Sequence, residues 1–281
     1  MTLRRSFAAV VLVAVAVISP DRAEAQGGAA AVRMQHVADR GSVVNNFTKI
    51  ENLAWNAKPD QVLMVQSVGH QKNVGVFYDT TSSRWAVFNE DKSPMPVGAK
   101  FNVVADGAFV HRSAPANISQ NWTYIDHPSA NGNQLAVVFV TQRWSSSGAN
   151  GGYNDRAVGV WFHGGSVGGP NKWAIYNEDR TAMGVGLEFN VKVFSAPSTA
   201  ASPYVSTWAT GPANPGSPTT LPPSVQRGGI FFMSHQYKNG GVGSTYYTAP
   251  WTVTPVGGGG AFQVTGGAAI PGDLAFNVVA Y

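Results

Sequence analysis

Residues 172–191 read KWAIYNEDRTAMGVGLEFNV, and residues 84–103 read RWAVFNEDKSPMPVGAKFNV. The two stretches share Trp-Ala, Asn-Glu-Asp, a Met, Val-Gly and a final Phe-Asn-Val. Phe-Asn-Val returns at residues 276–278, so the Phe residues of successive segments lie 88 and 87 positions apart. An internal repeat of this length predicts that one structural unit is built three times along the chain.

The repeat extends upstream of these stretches in the first two copies. Asn46-Phe47-Thr48 matches Asn121-Trp122-Thr123, and residues 74–78 match residues 158–162. The predicted domain boundaries are 33–107, 108–192 and 193–281, preceded by a flexible lead at 26–32.

The third copy is the most diverged of the three. It keeps Phe-Asn-Val but replaces Asn-Glu-Asp by Val264-Thr265-Gly266. Its residues 195–229 are rich in Ser, Thr, Pro and Gly, which predicts an expanded loop.

Short apolar runs bounded by polar turns predict strands in each copy. Charged residues are 12% of the chain, against roughly 25% in typical domains, and the sequence holds 32 Gly and 17 Pro. The predicted fold class is all-β, with three tandem antiparallel β-repeats of about 85 residues and four or five strands in each. The copies form either small sandwiches in a row, which we favour slightly, or one pseudo-threefold assembly.

The combination Trp-Ala-(Val/Ile)-(Phe/Tyr)-Asn-Glu-Asp, Met, Val-Gly and Phe-Asn-Val resembles a repeat module of secreted bacterial proteins. The resemblance covers nearly all of the second copy, most of the first and the end of the third. It implies export and a repeated β-module, and it carries no established activity.

The first 25 residues have the features of a signal peptide. Arg4 and Arg5 precede an apolar run, residues 7–18, that is too short to span a membrane, and Ala23-Glu24-Ala25 fits a cleavage site. We therefore expect a secreted or periplasmic protein that begins near Gln26, with no membrane span in the mature chain. The general and twin-arginine export routes both remain open.

Charge and cysteine content exclude several classes of function. The net charge is +4 without a Lys/Arg cluster, which argues against nucleic acid as a partner. The sequence contains no cysteine, which excludes disulfides and thiolate chemistry. Histidine-pair metal motifs and an Asp-x-Asp-x-Asp-Gly loop are both lacking, so we expect no cofactor, and calcium at the carboxylates is only weakly indicated.

Adjacent carboxylates at a predicted strand end make the Asn-Glu-Asp motif a candidate site. The motif occupies Asn89, Glu90 and Asp91 in the first copy, and Asn177, Glu178 and Asp179 in the second. Such carboxylates can bind a ligand or Ca²⁺, or act as acid and base. The alternative is structural: Asn and Asp cap a tight turn while Glu points to water.

A second candidate site surrounds Trp144, which precedes a polar, Gly-rich segment ending at Tyr153 and Asn154. Aromatic faces beside amides are typical of sugar recognition, because rings stack on C–H surfaces while amides bond hydroxyls. Trp85, Trp161 and Trp173 lie within predicted strands, and we expect them in the core.

Together these features predict an exported, non-enzymatic protein that binds a glycan or another cell-surface ligand through repeated β-modules. No residue is predicted to be catalytic. One alternative is a polysaccharide hydrolase that uses the Asn-Glu-Asp carboxylates. Another is a structural envelope or matrix protein that associates with itself.

Overall fold

The computed structural model describes residues 32–145, 153–164, 168–199, 203–209, 219–220, 230–237, 245–256 and 261–281. The expected signal peptide and residues 26–31 of the expected flexible lead lie outside these ranges. These ranges contain no helical segment with the length and hydropathy of a membrane span.

The described residues form 20 β-strands and no helix. The first copy contains β1 (Val32–Val37), β2 (Val43–Val44), β3 (Phe47–Lys49), β4 (Met64–Val68), β5 (Val74–Asp79), β6 (Arg84–Asn89) and β7 (Lys100–Ala105). The second contains β8 (Phe109–Arg112), β9 (Ile118–Ser119), β10 (Trp122–Tyr124), β11 (Val137–Arg143), β12 (Val158–His163), β13 (Lys172–Asn177) and β14 (Glu188–Phe194). The third contains β15 (Tyr204–Ala209), β16 (Thr219–Thr220), β17 (Phe231–Gln236), β18 (Trp251–Val256), β19 (Ala261–Gly266) and β20 (Ala275–Ala280).

The strands form three sheets, and each sheet combines strands of two copies. Sheet A has the order β1-β7-β4-β18-β19-β16, sheet B β2-β3-β6-β5-β11-β14-β8, and sheet C β15-β20-β17-β12-β13-β10-β9. Neighbours within one copy pair antiparallel, whereas β4–β18, β5–β11 and β12–β17 join different copies and pair parallel. Because the first copy shares a sheet with the third, the three copies close into one pseudo-threefold assembly.

Each copy also has a hydrophobic core of its own. The first copy's core surrounds Trp85, the second copy's surrounds Trp173, and both indoles are fully buried as predicted. A further core combines Met64, Phe139 and Phe232, which lie on β4, β11 and β17 of the three copies. The structure therefore has features of both predicted arrangements, since small modules with separate cores share their sheets and a common core.

The repeated Phe-Asn-Val segment explains how the copies are joined. Its Asn side chain is fully buried in every copy, and its amide donates to a backbone carbonyl of the preceding copy in the cycle. The three bonds are Asn102 to Phe231 (3.1 Å), Asn190 to Leu63 (2.7 Å) and Asn277 to Val138 (2.8 Å). A buried amide without this bond would be costly, so the motif is structural.

A second cyclic set of bonds lies beside the first. Each copy's β4, β11 or β17 strand offers a backbone N–H to a polar side chain of the next copy. The pairs are Val65 to Thr141 (2.9 Å), Val140 to Ser234 (3.0 Å) and Met233 to Gln66 (3.1 Å). These polar side chains are buried, and they satisfy backbone donors that the parallel junctions leave unpaired.

Two expectations need correction. The first two copies contain seven strands each rather than four or five, because short strands such as β2 and β9 lack an apolar run that a sequence pattern could detect. The predicted loop 195–229 contains β15 and β16. β15 pairs along its whole length with β20, which its β-branched and aromatic residues favour.

The strand register also changes the alignment of the third copy. Val74 pairs with Asn89, Val158 with Asn177, and Trp251 with Gly266. Gly266-Gly267-Ala268, rather than Val264-Thr265-Gly266, therefore stands where the other copies have Asn-Glu-Asp.

Candidate functional site

Two cavities with matching walls open where one copy meets the next. The first has a volume of about 600 Å³ and is lined by Asn46, Phe47, Phe77, Phe88, Lys92, Trp144 and Tyr153. The second has an outer part of about 550 Å³ and an inner part of about 150 Å³, which share several walls. The second cavity's residues that are equivalent to those of the first, given in the same order, are Asn121, Trp122, Trp161, Tyr176, Arg180, Tyr237 and Tyr246.

Backbone contacts establish this equivalence independently of side-chain type. Trp144 N donates to Val76 O and Tyr237 N to Val160 O, both over 2.9 Å. The N–H groups of Asn154 and Tyr247 likewise donate to Glu90 and Glu178, which aligns Tyr153 with Tyr246.

The aromatic rings keep the same packing in both cavities. Phe47 and Phe77 meet edge to face at 5.1 Å and 88°, and Trp122 and Trp161 do so at 5.4 Å and 83°. The pairs Phe88–Tyr153 and Tyr176–Tyr246 have centroid distances of 5.3 and 5.5 Å and angles of 89° and 87°. Edge-to-face packing fixes the rings, so the walls are preorganised.

One cation stands over the outer tyrosine of each cavity. Lys92 Nζ lies 4.7 Å from the ring centre of Tyr153, and the Arg180 guanidinium lies 4.2 Å from that of Tyr246. Both cations come from residues with left-handed backbones, with φ of 60° and 62°. The turn that follows the Asn-Glu-Asp motif thus positions both cations.

The Asn residue of the motif holds one residue of the cavity lining in place. Asn89 and Asn177 are buried, and their backbone carbonyls accept the side-chain amides of the cavity residues Asn46 and Asn121 over 3.2 and 2.9 Å. Their own amides donate to carbonyls of the following turn, such as Ser93 O. These two predicted ligand-binding residues therefore make structural contacts with both the cavity residues and the following turn.

The Glu of the motif joins two copies. Glu90 and Glu178 are 3% and 1% exposed, so neither points to water, contrary to the structural alternative considered above. Glu90 accepts the N–H of Asn154 over 2.7 Å, and Glu178 accepts that of Tyr247 over 2.9 Å. Burial raises the pKa of Glu90 to about 8. Both carboxyls are therefore buried at a junction between copies, where each links one copy to the next.

A buried polar cluster underlies the second cavity. The Tyr176 hydroxyl, in the cavity wall, donates to Glu178 over 3.0 Å and lies 3.0 Å from His235 Nδ1, which also bonds Glu178. Burial and the neighbouring Glu178 carboxylate raise the pKa of Tyr176 well above its usual range. The cluster holds the Tyr176 ring in place as a wall.

The Asp of the motif lies nearer the surface and stabilises the turn. Asp91 pairs with Lys72 and accepts bonds from Ser93, while Asp179 pairs with Arg156 and accepts bonds from Thr181. Partial burial opposes ionisation of Asp91, but the Lys72 and Ser93 hydrogen bonds lower its pKa to about 2. These two residues cap the turn, as the structural alternative predicts.

The third junction, between the third and first copies, lacks the aromatic walls among the described residues. Gly69 stands where Trp144 and Tyr237 stand elsewhere, since Gly69 N donates to Val253 O in the equivalent bond. Thr254 and Thr265 take the places of the two wall rings on β5 and β6. A cavity of about 460 Å³ lies here, and its described lining contains no Phe, Tyr or Trp.

The remaining predicted site residues divide between the cavity and the interior. Trp144 and Tyr153 line the first cavity, and Tyr153 is 39% exposed. Asn154 is buried, and its amide donates to Gln142. Trp161, expected in the core, is half-buried and lines the second cavity.

Sequence reasoning missed most of the cavity lining. The missed residues are Asn46, Phe47, Phe77, Phe88, Lys92, Asn121, Trp122, Tyr176, Arg180, Tyr237 and Tyr246. The signal available was the recurrence of an aromatic residue at 47 and 122 and at 77 and 161, two positions of the repeat that a core alone does not require to be aromatic.

No group of three or more His, Asp or Glu side chains among the described residues is arranged to hold a metal ion. The histidines with equivalent repeat positions, His36 and His111, bond Thr48 and Thr123 over 2.8 and 2.9 Å.

Residues 75–193 match a domain of unknown function, DUF7452. The match covers less than half of the chain, from β5 of the first copy to β14 of the second, and includes five of the seven residues that line the first cavity. No curated protein and no solved structure matches the chain significantly.

Proposed function

We propose that this chain is an exported, non-enzymatic protein that binds glycans in its two aromatic cavities. The observation that carries the proposal is the duplication of one cavity with different residues. Phe, Trp and Tyr replace one another at equivalent wall positions, and the ring angles agree within a few degrees.

The cavities have the chemistry that sugar rings need. Half-buried indole and phenyl faces offer apolar surface to C–H groups. The Tyr153 hydroxyl, which accepts the Asn46 amide over 3.3 Å, offers a polar partner at the rim of the first cavity. Volumes near 600 Å³ are typical of sites for small ligands. Two sites on one chain also raise avidity for a repetitive polymer.

Carboxylate placement supports binding rather than hydrolysis. Glycoside hydrolysis generally requires two carboxyl groups flanking the scissile bond. No described Asp or Glu lines either cavity, and the motif carboxylates are buried or paired with cations.

The test is retention on insoluble polysaccharides and peptidoglycan, with soluble sugar measured in the same tubes. We expect retention without sugar release. The double variant Tyr153→Ala/Tyr246→Ala should lose retention while its melting temperature stays near that of the native protein. Leu53→Ala removes an exposed apolar side chain outside both cavities and should be retained like the native protein.

Each other outcome points away from the proposal. Sugar release would support the hydrolase instead. Concentration-dependent assembly without retention would support the structural envelope protein. Retention of the double variant at the native level would remove the cavities as the binding site.

A further inference from the structure

We infer that both cavities take a sugar ring that carries a negatively charged substituent, a carboxylate or a sulfate. The inference rests on the proposed function and narrows its ligand class. It comes from Lys92 and Arg180, the cations at the two cavity rims.

Among the described residues, the two cations have no counterion. Neither forms an ion pair with a carboxylate of the described residues. The preceding acidic residues, Asp91 and Asp179, are paired with Lys72 and Arg156 instead. Each cavity therefore presents one positive charge and no described carboxylate to its ligand.

The residues that carry these two cations have an unfavourable backbone conformation. A left-handed backbone is unfavourable at a residue other than Gly, and Gly or Asn at this position would relieve the strain. Both copies nevertheless place a long cationic side chain at this position. Over a tyrosine face, the charge lies beside the surface on which a sugar would stack.

Lys and Arg share positive charge but differ in hydrogen-bond geometry. Their interchange at one position of the two cavities indicates that charge is the common requirement. An anionic group on the sugar ring meets this requirement and places the ring against the aromatic wall. At the third junction, where the described lining contains no Phe, Tyr or Trp, the same reasoning predicts no site.

The experiment compares charged polysaccharides with their uncharged counterparts. Polygalacturonate is paired with its methyl ester, and chondroitin sulfate with a desulfated, carboxyl-reduced form that has no charge. Desulfated chondroitin, which keeps its carboxylates, serves to separate the two kinds of charge. We expect the native protein to bind the charged member of at least one pair ten-fold or more tightly than its uncharged form. Preference for carboxylate or sulfate then distinguishes the two sources of charge.

Variants of Lys92 and Arg180 test whether the two cations cause the preference for charged polysaccharides. Lys92→Gln/Arg180→Gln should reduce the preference to about three-fold or less, and Lys92→Arg/Arg180→Lys should retain it. A retained preference in Lys92→Arg/Arg180→Lys would show that the charge matters, and not merely a structural role of the side chain over the tyrosine. Arg40→Gln removes an exposed cation outside both cavities and should bind like the native protein.

The outcomes separate this inference from the proposed function. Retention on neutral polysaccharides alone, or equal binding of charged and uncharged forms, would overturn the inference that the ligand is anionic. Either result would leave the proposal of glycan binding intact. Failure of every polysaccharide, charged and neutral, would overturn both. An unchanged preference in Lys92→Gln/Arg180→Gln would also overturn the inference.

Discussion

The side-chain amide of Asn190 donates to the backbone carbonyl of Leu63 over 2.7 Å, although 127 residues separate the two in the chain. Asn190 lies on β14 of the second copy, and Leu63 precedes β4 of the first. The Asn190 amide is fully buried, and its Oδ1 has no hydrogen-bond partner among the described residues. Its bond to Leu63 is therefore a direct link between copies.

Replacement of Asn190 by Ala should lower the free energy of unfolding by about 1–3 kcal/mol, because the Leu63 carbonyl would be left buried without its donor. Urea denaturation of the native protein and the variant measures the change. Asn131→Ala removes an exposed amide and should change stability by about 0.5 kcal/mol or less. Equal losses in the two variants would contradict the structural role of the motif.

The repeat, the all-β class and the longer strands could be predicted, because apolar runs and Phe-Asn-Val are local signals. The sharing of sheets could not. β4 pairs with β18 through Val68 and Val253, a contact that no local pattern encodes. Strand residues such as Val160 would be buried in a separate sandwich and in the closed assembly alike.

The cavities were only partly predictable for a related reason. Trp161 lies on a strand that is apolar on both faces, and such a strand is typical of a core. Its exposure arises because the next copy leaves a gap beside the shared sheet, and Tyr237 and Tyr246 complete the wall. A residue at a junction between copies cannot be assigned to core or surface until the arrangement of the copies is known.

Gly159 should not tolerate Ala. An added Cβ would lie 2.5 Å from the Tyr176 ring and 2.6 Å from Glu178 Oε1, and both groups are held by the buried polar cluster. We expect a loss of about 2 kcal/mol or more in the free energy of unfolding, since the ring must move. Displacement of Tyr176 should also weaken ligand binding at the second cavity.

Gly267→Ala is the matched control for Gly159→Ala. Gly267 occupies the position of Glu178 in the third copy, and an added Cβ would meet its nearest atom at 3.7 Å. The melting temperature of the Gly267→Ala protein should stay near the native value. A Gly159→Ala protein that is as stable as Gly267→Ala would show that the Tyr176 wall is not rigid.

Glu90 should make the stability of the protein depend on pH. Its pKa is about 8 in the folded protein and 4.5 in its ordinary state, so the folded state binds the proton more tightly. The stabilisation from this proton is complete below pH 4.5. It is lost as pH rises toward 8, at up to about 1.4 kcal/mol per pH unit.

Glu90→Gln should remove this slope, because the amide keeps an oxygen for the Asn154 N–H and does not ionise. Urea denaturation at pH 5, 6.5 and 8 measures it. Glu51→Gln, at an exposed carboxylate, should keep the native slope. If the native protein and Glu90→Gln show the same pH dependence, the carboxyl is not the source.

The two cavities should bind independently and in a ratio of two sites per chain. Their linings share no residue, and each is built from its own pair of adjacent copies. Calorimetric titration with soluble fragments of a retained polysaccharide should give two sites in the native protein. Tyr153→Ala or Tyr246→Ala alone should leave one site of unchanged affinity, because each removes the outer ring of one cavity. Three sites in the native protein would show that the junction at Gly69 and Thr254 also binds, so that the aromatic walls would not be the determinant.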